Sequence, residues 1–395
     1  MRNVAVLAIA QALSASGMVT MTLLGGILGS ELAPSPGLAT LPISMAILGL
    51  AGSTLPAALL MQRVGRRPAF IGSALLAAVA ACAVAFAVVQ QSFVLLCAAA
   101  FVLGSNLAFQ QQHRFAAAEA APDGRASQAV SWVMVGTLVA ALLGPQIALA
   151  LKELVPGHEY AGSFLGVAAF CLATALVLTR YSPPLPRSHE HAPEPARPLR
   201  EVAATPRYRI AVLASVIGYA VMSFIMTATP ISMHVHDGHS DTQTAWVIQS
   251  HLLGMYAPSL FTGALIARIG TRSGMSVGLA LLAACVAIDV SGRGLMHYWW
   301  GLVLLGVGWN LLFVAGTTLL TTTYRPAERF RAQGLNEFAV FGTQALASLL
   351  AGPAIHSLGW QSMNLATLPL IGALAIALWA WPEAARTPAR AGRPG

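Results

Sequence analysis

Two short loops carry the same arrangement of arginine and glycine, 205 residues apart: Arg63-Val64-Gly65-Arg66-Arg67 and Arg268-Ile269-Gly270-Thr271-Arg272. Each loop follows an apolar run long enough to cross a membrane. A second match lies further along each copy, where Gly104-Ser105-Asn106 is followed 204 residues later by Gly308-Trp309-Asn310. Two patterns that recur at nearly one spacing indicate a duplicated unit whose copies run in parallel along the chain.

The apolar runs around these loops identify the solvent as lipid. Of the 395 residues, 56% are hydrophobic and only 9% are charged, whereas a soluble domain has roughly 25% charged residues. A spanning helix needs about 20 apolar residues. Twelve such segments account for most of the chain: 4–29, 38–62, 69–90, 92–118, 127–151, 161–180, 209–232, 244–268, 273–291, 298–323, 333–356 and 362–382. We therefore predict an all-α membrane protein of twelve transmembrane helices in two pseudo-symmetric six-helix bundles.

A polar segment separates the two sets of six. Residues 181–208 include the stretch SPPLPRSHEHAPEPARPLR, whose Pro, Arg, His and Glu content cannot form a packed core. The predicted organisation is an N-terminal bundle at 1–180, a cytoplasmic linker at 181–208, a C-terminal bundle at 209–382 and a cytoplasmic tail at 383–395.

The positive charges predict the orientation. With both termini in the cytoplasm, only Lys152 and Arg293 among the 22 Lys and Arg residues face outward. The excess of positive charge in cytoplasmic loops is typical of membrane proteins. The net charge of +8 is therefore explained by membrane topology, and we expect a lipid bilayer and no nucleic acid as partner. The sequence also lacks a catalytic triad, a phosphate loop and a paired carboxylate in a suitable context, so no enzymatic activity is expected.

The two loops resemble the signature that the major facilitator superfamily carries after its second and eighth helices. The matching positions that we interpret as gating loops are Arg63, Gly65, Arg66, Arg67, Arg268, Gly270 and Arg272. Both copies lack the aspartate of that signature, so the ion pair that the family builds from it is not expected here. The resemblance covers the whole chain and implies a substrate path between the halves that opens alternately to each side.

Soft donor atoms recur in the seventh and eighth segments. Met222 and Met226 are spaced i, i+4, as are His251 and Met255, so each pair lies on one helix face. If the connection between these antiparallel helices is symmetric, Met226 is level with His251 and Met222 with Met255. Thioether and imidazole groups suit copper, and thioethers particularly suit Cu(I). The sequence thus predicts a metal site of four side chains.

These spacings resemble those of the CcoA-type copper importers of the superfamily. The resemblance implies that the chain imports copper, as Cu(I), across the bacterial inner membrane and supplies assembly of a cbb-type cytochrome oxidase. It implies copper as the substrate, no cofactor, a copper chaperone or exporter as partner, and a monomer. The wider family also resembles carriers of organic solutes such as riboflavin. The alternative is therefore a drug or flavin carrier that uses Asn106, Trp309, Asn310 and Tyr256.

The loop between the two Met-bearing segments offers a second set of metal ligands. Met233, His234, His236 and His239 lie there, on the outward side of the predicted topology, where they could collect metal before entry. A solvated polar turn is the alternative interpretation. A further alternative for the whole chain is a membrane scaffold that hands copper to an assembly partner without transporting it.

Overall fold

The computed structural model describes residues 2–121, 126–182, 197–325 and 328–381, and throughout these ranges the regular structure is helical. Residues 183–196, half of the predicted linker, and all of the predicted tail lie outside them. The first half contains α1 (Arg2–Leu32), α2 (Leu41–Val64), α3 (Arg66–Val89), α4 (Phe93–Gln110), α5 (His113–Ala120), α6 (Ala126–Ala150) and α7 (Ala161–Leu178). The second half contains α8 (Leu199–Ala204), α9 (Pro206–Pro230), α10 (Asp241–Tyr256), α11 (Ser259–Ile269), α12 (Thr271–Ser291), α13 (Leu295–Thr321), α14 (Arg329–Leu365) and α15 (Leu368–Ala380). One turn of helix, Pro36–Leu38, precedes α2, and a π-helical turn, Ile231–His236, follows α9.

The helices provide twelve membrane crossings. Ten described segments are long and apolar enough to span a membrane, and the bent pair α10–α11 adds an eleventh. One of the ten, 331–380, has 50 residues and would measure roughly 75 Å as a single helix. It is broken at Gly359, whose φ of 72° and ψ of 173° are not helical, and so makes two crossings. The predicted fold is confirmed.

The eighth crossing differs from the uninterrupted helix expected at 244–268. It bends by 44° between α10 and α11, where Ala257 and Pro258 stand. A proline ring clashes with the carbonyl group one turn earlier and cannot donate a backbone hydrogen bond, so a bend at this point is expected of it. The fourth crossing is likewise divided at Gln111 and Gln112.

The duplicated loops have the same backbone conformation. Gly65 has φ 85° and ψ 163°, and Gly270 has φ 87° and ψ 159°, a region that residues with a Cβ almost never occupy. After each glycine an arginine reaches the end of the last helix of its own half. Arg67 donates to the carbonyl oxygen of Thr179, and Arg272 to that of Trp379. The repeat seen in sequence thus extends to backbone geometry and hydrogen bonding.

The two halves touch at more than one depth. We call the end that carries the N-terminus and the linker the linker end, since Asn3 donates to the backbone of Ser182 there, and the opposite end the far end. On α14, a Cβ at Gly352 would lie 2.5 Å from Oγ1 of Thr40, at the far end. Nearer the linker end, the guanidinium of Arg114 in the first half lies 3.8 Å from the carboxylate of Glu337 on α14.

Candidate functional site

A cavity lies between the two halves, at mid-depth of the helices. The centres of water-sized molecules can occupy about 200 Å³ of it, whereas one buried water needs roughly 10–15 Å³ on that measure. The cavity is therefore large enough for an organic molecule. Its polar and aromatic lining consists of Gln11, Thr22, Gln110, Gln111, Arg114, Thr137, Tyr219, Ser223, Thr227, Tyr256, Trp309, Phe313, Phe341 and Gln344.

The aromatic lining comes entirely from the second half. We call Tyr219, Tyr256, Trp309, Phe313 and Phe341 the aromatic wall. The Trp309 and Phe313 rings are stacked one turn apart on α13, with centroids 5.1 Å apart and planes inclined by 7°. The Tyr219 ring meets both edge-on, at 5.1 and 5.7 Å. Such edge-to-face and stacked contacts are favourable geometries, so the wall is a pre-built platform for a flat ring.

The first half contributes amide groups. We call Gln11 and Gln110 the amide pair. Gln11 accepts a hydrogen bond from Nδ1 of His113 at 2.9 Å and donates to Oγ1 of Thr137 at 3.2 Å. Gln110 donates to Oγ of Ser14 at 2.9 Å. Both amides are therefore held in fixed orientations at the cavity surface by partners behind them.

Formal charge is sparse at the cavity surface. Among the described lining residues only Arg114 is charged, and its guanidinium lies 3.8 Å from the carboxylate of Glu337 on α14. Because that carboxylate is within ion-pair reach, the cavity is close to neutral. An uncharged, partly aromatic molecule suits such a surface better than an ion does.

Three of the four predicted copper ligands reach this cavity. Met222, Met226 and Met255 line it, and each is at least 93% buried. The imidazole of His251 is fully buried but does not line the cavity. Its Nδ1 is hydrogen-bonded to the carbonyl oxygen of Leu302 at 2.7 Å, so it joins α10 to α13.

The predicted metal-capturing residues contact protein groups. Met233 is fully buried in the core. The ring of His234 contacts the carbonyl oxygen of His239 at 3.0 Å, and that of His239 contacts the carbonyl oxygen of Arg293 at 3.2 Å. His236 is exposed. Across the part of the chain that the structure describes, no three His, Cys, Asp or Glu residues come together as a metal site would require.

The gating-loop residues lie at the linker end, where Arg66 forms an ion pair of 2.7 Å with Glu119. Of the residues expected for an organic-solute carrier, Tyr256 and Trp309 line the cavity. Asn106 and Asn310 instead hydrogen-bond within their own halves, to Ser14 and to the backbone of Met255. The rest of the aromatic wall and the amide pair were not predicted from the sequence. The only signal for them was aromatic and amide residues within otherwise apolar segments.

Comparison with known proteins identifies the family. The model of the Major Facilitator Superfamily matches residues 6–237 and 211–395. The chain is 42% identical to the riboflavin transporter RfnT of Brucella anthropi over 95% of both proteins. It is 30% identical to YdeG of Bacillus subtilis, an uncharacterized MFS-type transporter, over 92% of this chain and 88% of that protein.

Solved structures share the fold. A bacterial homolog of the human lysosomal transporter Spinster superposes with a TM-score of 0.72 at 15% identity, covering 95% of each chain. The human organic anion transporter MFSD10 superposes with a TM-score of 0.68 at 16% identity, covering 95% of this chain and 99% of that one.

These findings overturn the expectation of copper import. A relative that is 42% identical along nearly the whole chain is a riboflavin transporter, and the cavity has room for an organic molecule. The i, i+4 spacing of Met222 and Met226 on α9 instead places two flexible thioethers on the cavity surface, where Met255 of α10 joins them. The expected alternative, a carrier of an organic solute, agrees better with both observations. With its twelve crossings and a family model that matches nearly all of its length, the chain belongs to the Major Facilitator Superfamily.

Proposed function

We propose that this protein carries a flat, uncharged organic solute, riboflavin or a close chemical relative, across the bacterial inner membrane. The observation that supports this most directly is the division of the central cavity into an aromatic wall and an amide pair. Riboflavin is a tricyclic ring with one polar edge and a hydroxylated side chain. The ring would stack on Trp309 and its neighbours, while amides and hydroxyls would meet the polar groups.

Stacking supplies affinity without requiring charge. Stacking of a heterocycle on an aromatic side chain is worth about 1–3 kcal/mol, and the thioethers of Met222, Met226 and Met255 add polarizable contacts around the ring. The cavity lies between the two halves of the chain, so we propose a monomer in the lipid bilayer as the transporting unit.

The packing of the halves supports alternating access with release at the linker end. At the far end the Oγ atoms of Ser44 and Ser348, one from each half, lie 2.8 Å apart, so this end is closed. The excess of arginine favours a cytoplasmic linker end with both termini inside. Separation of the halves at the linker end would open the cavity to the cytoplasm, and the reverse conformation would load from outside.

Transport of riboflavin into proteoliposomes tests the proposal directly. Purified protein in vesicles should accumulate riboflavin at a rate that saturates with concentration, and empty vesicles should not. A bacterial strain that cannot make riboflavin should also grow on a low external supply when it expresses this chain. Failure in both assays, with protein present in the membrane, would overturn the proposal.

A further inference from the structure

We infer that the amide pair reads an imide edge, –CO–NH–CO–, on the transported ring. This inference rests on the proposed function, because it assigns one edge of the flat solute to Gln11 and Gln110. The chemical class it selects is a heterocycle of flavin or uracil type, and it excludes rings whose corresponding edge is a carboxylate or an amine.

Gln110 presents a hydrogen-bond acceptor. Its amide nitrogen donates to Oγ of Ser14, which also accepts from the amide of Asn106 at 2.9 Å. The Gln110 side chain is 96% buried and lines the cavity. Its carbonyl oxygen Oε1 has no hydrogen-bond partner among the described residues. A buried acceptor without a hydrogen-bond partner costs free energy. We therefore expect the substrate to supply an N–H group to this oxygen.

Gln11 presents a donor beside that acceptor. Its carbonyl oxygen is occupied by Nδ1 of His113, and one of its two amide hydrogens by Oγ1 of Thr137; the second amide hydrogen remains. Gln11 and Ser14 are one turn apart on α1, so the two glutamines are held side by side on the first half.

The donor of Gln11 and the acceptor of Gln110 are complementary to the adjacent carbonyl and N–H groups of an imide, whose N–H lies between two carbonyl groups. A carboxylate would set its charge against the oxygen of Gln110, and an amine would offer donors to the donor of Gln11.

The expected discrimination between substrates with and without an imide N–H follows from the unpaired oxygen Oε1 of Gln110. Leaving a buried acceptor without its partner costs about 1–3 kcal/mol, which corresponds to roughly 5- to 150-fold in affinity. Sites that hydrogen-bond a substrate N–H reject analogues lacking it far more strongly than apolar pockets reject a missing methylene. Methylation of the imide nitrogen should therefore weaken binding, whereas removal of the sugar-like chain should leave edge recognition intact.

Competition for riboflavin uptake tests the assignment in proteoliposomes of the full chain. Against labelled riboflavin, 3-methylriboflavin should compete at least about fivefold more weakly than unlabelled riboflavin. Lumichrome, which keeps the ring and imide but lacks the side chain, should still compete. Riboflavin uptake with equal competition by the 3-methyl compound would overturn the imide assignment alone. Absence of riboflavin uptake would overturn the proposed function as well.

Two substitutions separate hydrogen bonding from shape. Gln110→Met keeps the length of the side chain but removes the acceptor, so the preference for riboflavin over its 3-methyl analogue should fall to less than about threefold. If the weak competition by 3-methylriboflavin came from a steric clash with its methyl group, the preference for riboflavin would persist in this variant. That result would contradict the inference. Gln110→Glu keeps an acceptor and should keep the preference. Gln90→Met, at an exposed position after α3, is the matched control and should transport as the unsubstituted protein does.

Discussion

Asp241 of the second half binds Lys152 of the first half, with 3.1 Å between Oδ2 and Nζ. The same oxygen accepts a hydrogen bond of 2.9 Å from the hydroxyl of Tyr160. We call these three residues the far-end clasp. Hydrogen bonds to Glu159 and Asp241 raise the pKa of Lys152, and desolvation together with Asp241 raises the pKa of Tyr160. Both groups therefore remain protonated donors at neutral pH, and the clasp favours a closed far end.

Loss of the clasp should shift the protein towards a state open at the far end. Asp241→Asn removes the charge that holds Lys152, and a partly exposed ion pair contributes about 0.2–1 kcal/mol. We expect up to roughly a fivefold rise in the open population. Ser44→Cys, at a fully buried far-end position, reports on this through its rate of labelling by an impermeant maleimide. Glu153→Gln, an exposed neighbour of the clasp, should leave the rate unchanged, and an equal rate in Asp241→Asn would contradict the role of the clasp.

The aromatic wall should set affinity for the ring. Trp309→Leu removes the stacking surface and should raise the KM for riboflavin by about tenfold or more, since one stacked ring is worth about 1–3 kcal/mol. Initial uptake rates over a range of concentrations measure this. Trp300→Leu, on the same helix but half-exposed and away from the cavity, should leave KM within about twofold. Equal effects of both substitutions would show that the wall does not contact the substrate.

The loop glycines should be intolerant of any side chain. Gly65→Ala places a Cβ at a φ of 85° and should lower the free energy of unfolding by about 1–3 kcal/mol. Denaturation in detergent measures this loss. Gly72→Ala, seven residues later within α3, meets no atom within 4 Å and should be neutral or stabilising by about 0.5–1 kcal/mol. Similar losses in both variants would contradict the backbone explanation.

His251 should prove structural. His251→Leu leaves the carbonyl oxygen of Leu302 without its imidazole partner, which should lower the free energy of unfolding by about 1–3 kcal/mol. Because the ring does not line the cavity, the KM for riboflavin should change less than about threefold in the protein that folds. Thr242→Ala, exposed near the start of α10, serves as control. A large change in KM with unaltered stability would assign His251 to the substrate path instead.

Acid should weaken the contact that anchors the end of the linker. The Arg197 guanidinium binds Glu328 through two contacts of 2.7 and 2.8 Å and holds the pKa of that carboxyl well below its ordinary value of 4.5. A carboxyl whose pKa is lowered on folding stabilises the protein above its unfolded pKa, and the contribution fades as pH falls towards the folded pKa. The stability advantage over Glu328→Gln should therefore be largest near about pH 7 and shrink below about pH 4.5. An advantage that grows with acid would contradict this sign.

The fold could be predicted from sequence because each of its determinants is local. Apolar runs predict membrane crossings, and a glycine flanked by arginines predicts a turn whose backbone conformation excludes a Cβ. Two breaks in helices were missed for opposite reasons. Pro258 bends the eighth crossing, but a proline within an apolar run can either end a helix or bend it, and the segment 244–268 was taken as one continuous helix. The fourth crossing is divided at Gln111 and Gln112 without any proline or glycine there.

The site was less predictable because it is made by contacts between helices distant in sequence. Met222, Met226 and Met255 line one cavity, but the copper import inferred from them is contradicted by the similarity to a riboflavin transporter. A thioether spacing cannot distinguish a metal ligand from a flexible contact for a ring. His251 looked functional as a titratable group deep in a span, but its hydrogen bond to Leu302 comes from a helix about 50 residues later. Gln110 drew no notice, since only the folded chain shows which of its amide atoms is left unpaired.

The aromatic wall lies on one bundle and the amide pair on the other, so each bundle supplies half of the binding site. A solute that contacts both the aromatic wall and the amide pair would draw the two bundles together. A solute that contacts only one of them would bind without promoting closure. Selectivity would then act at the movement of the bundles as well as at capture, so a poor analogue could occupy the protein and still not be carried.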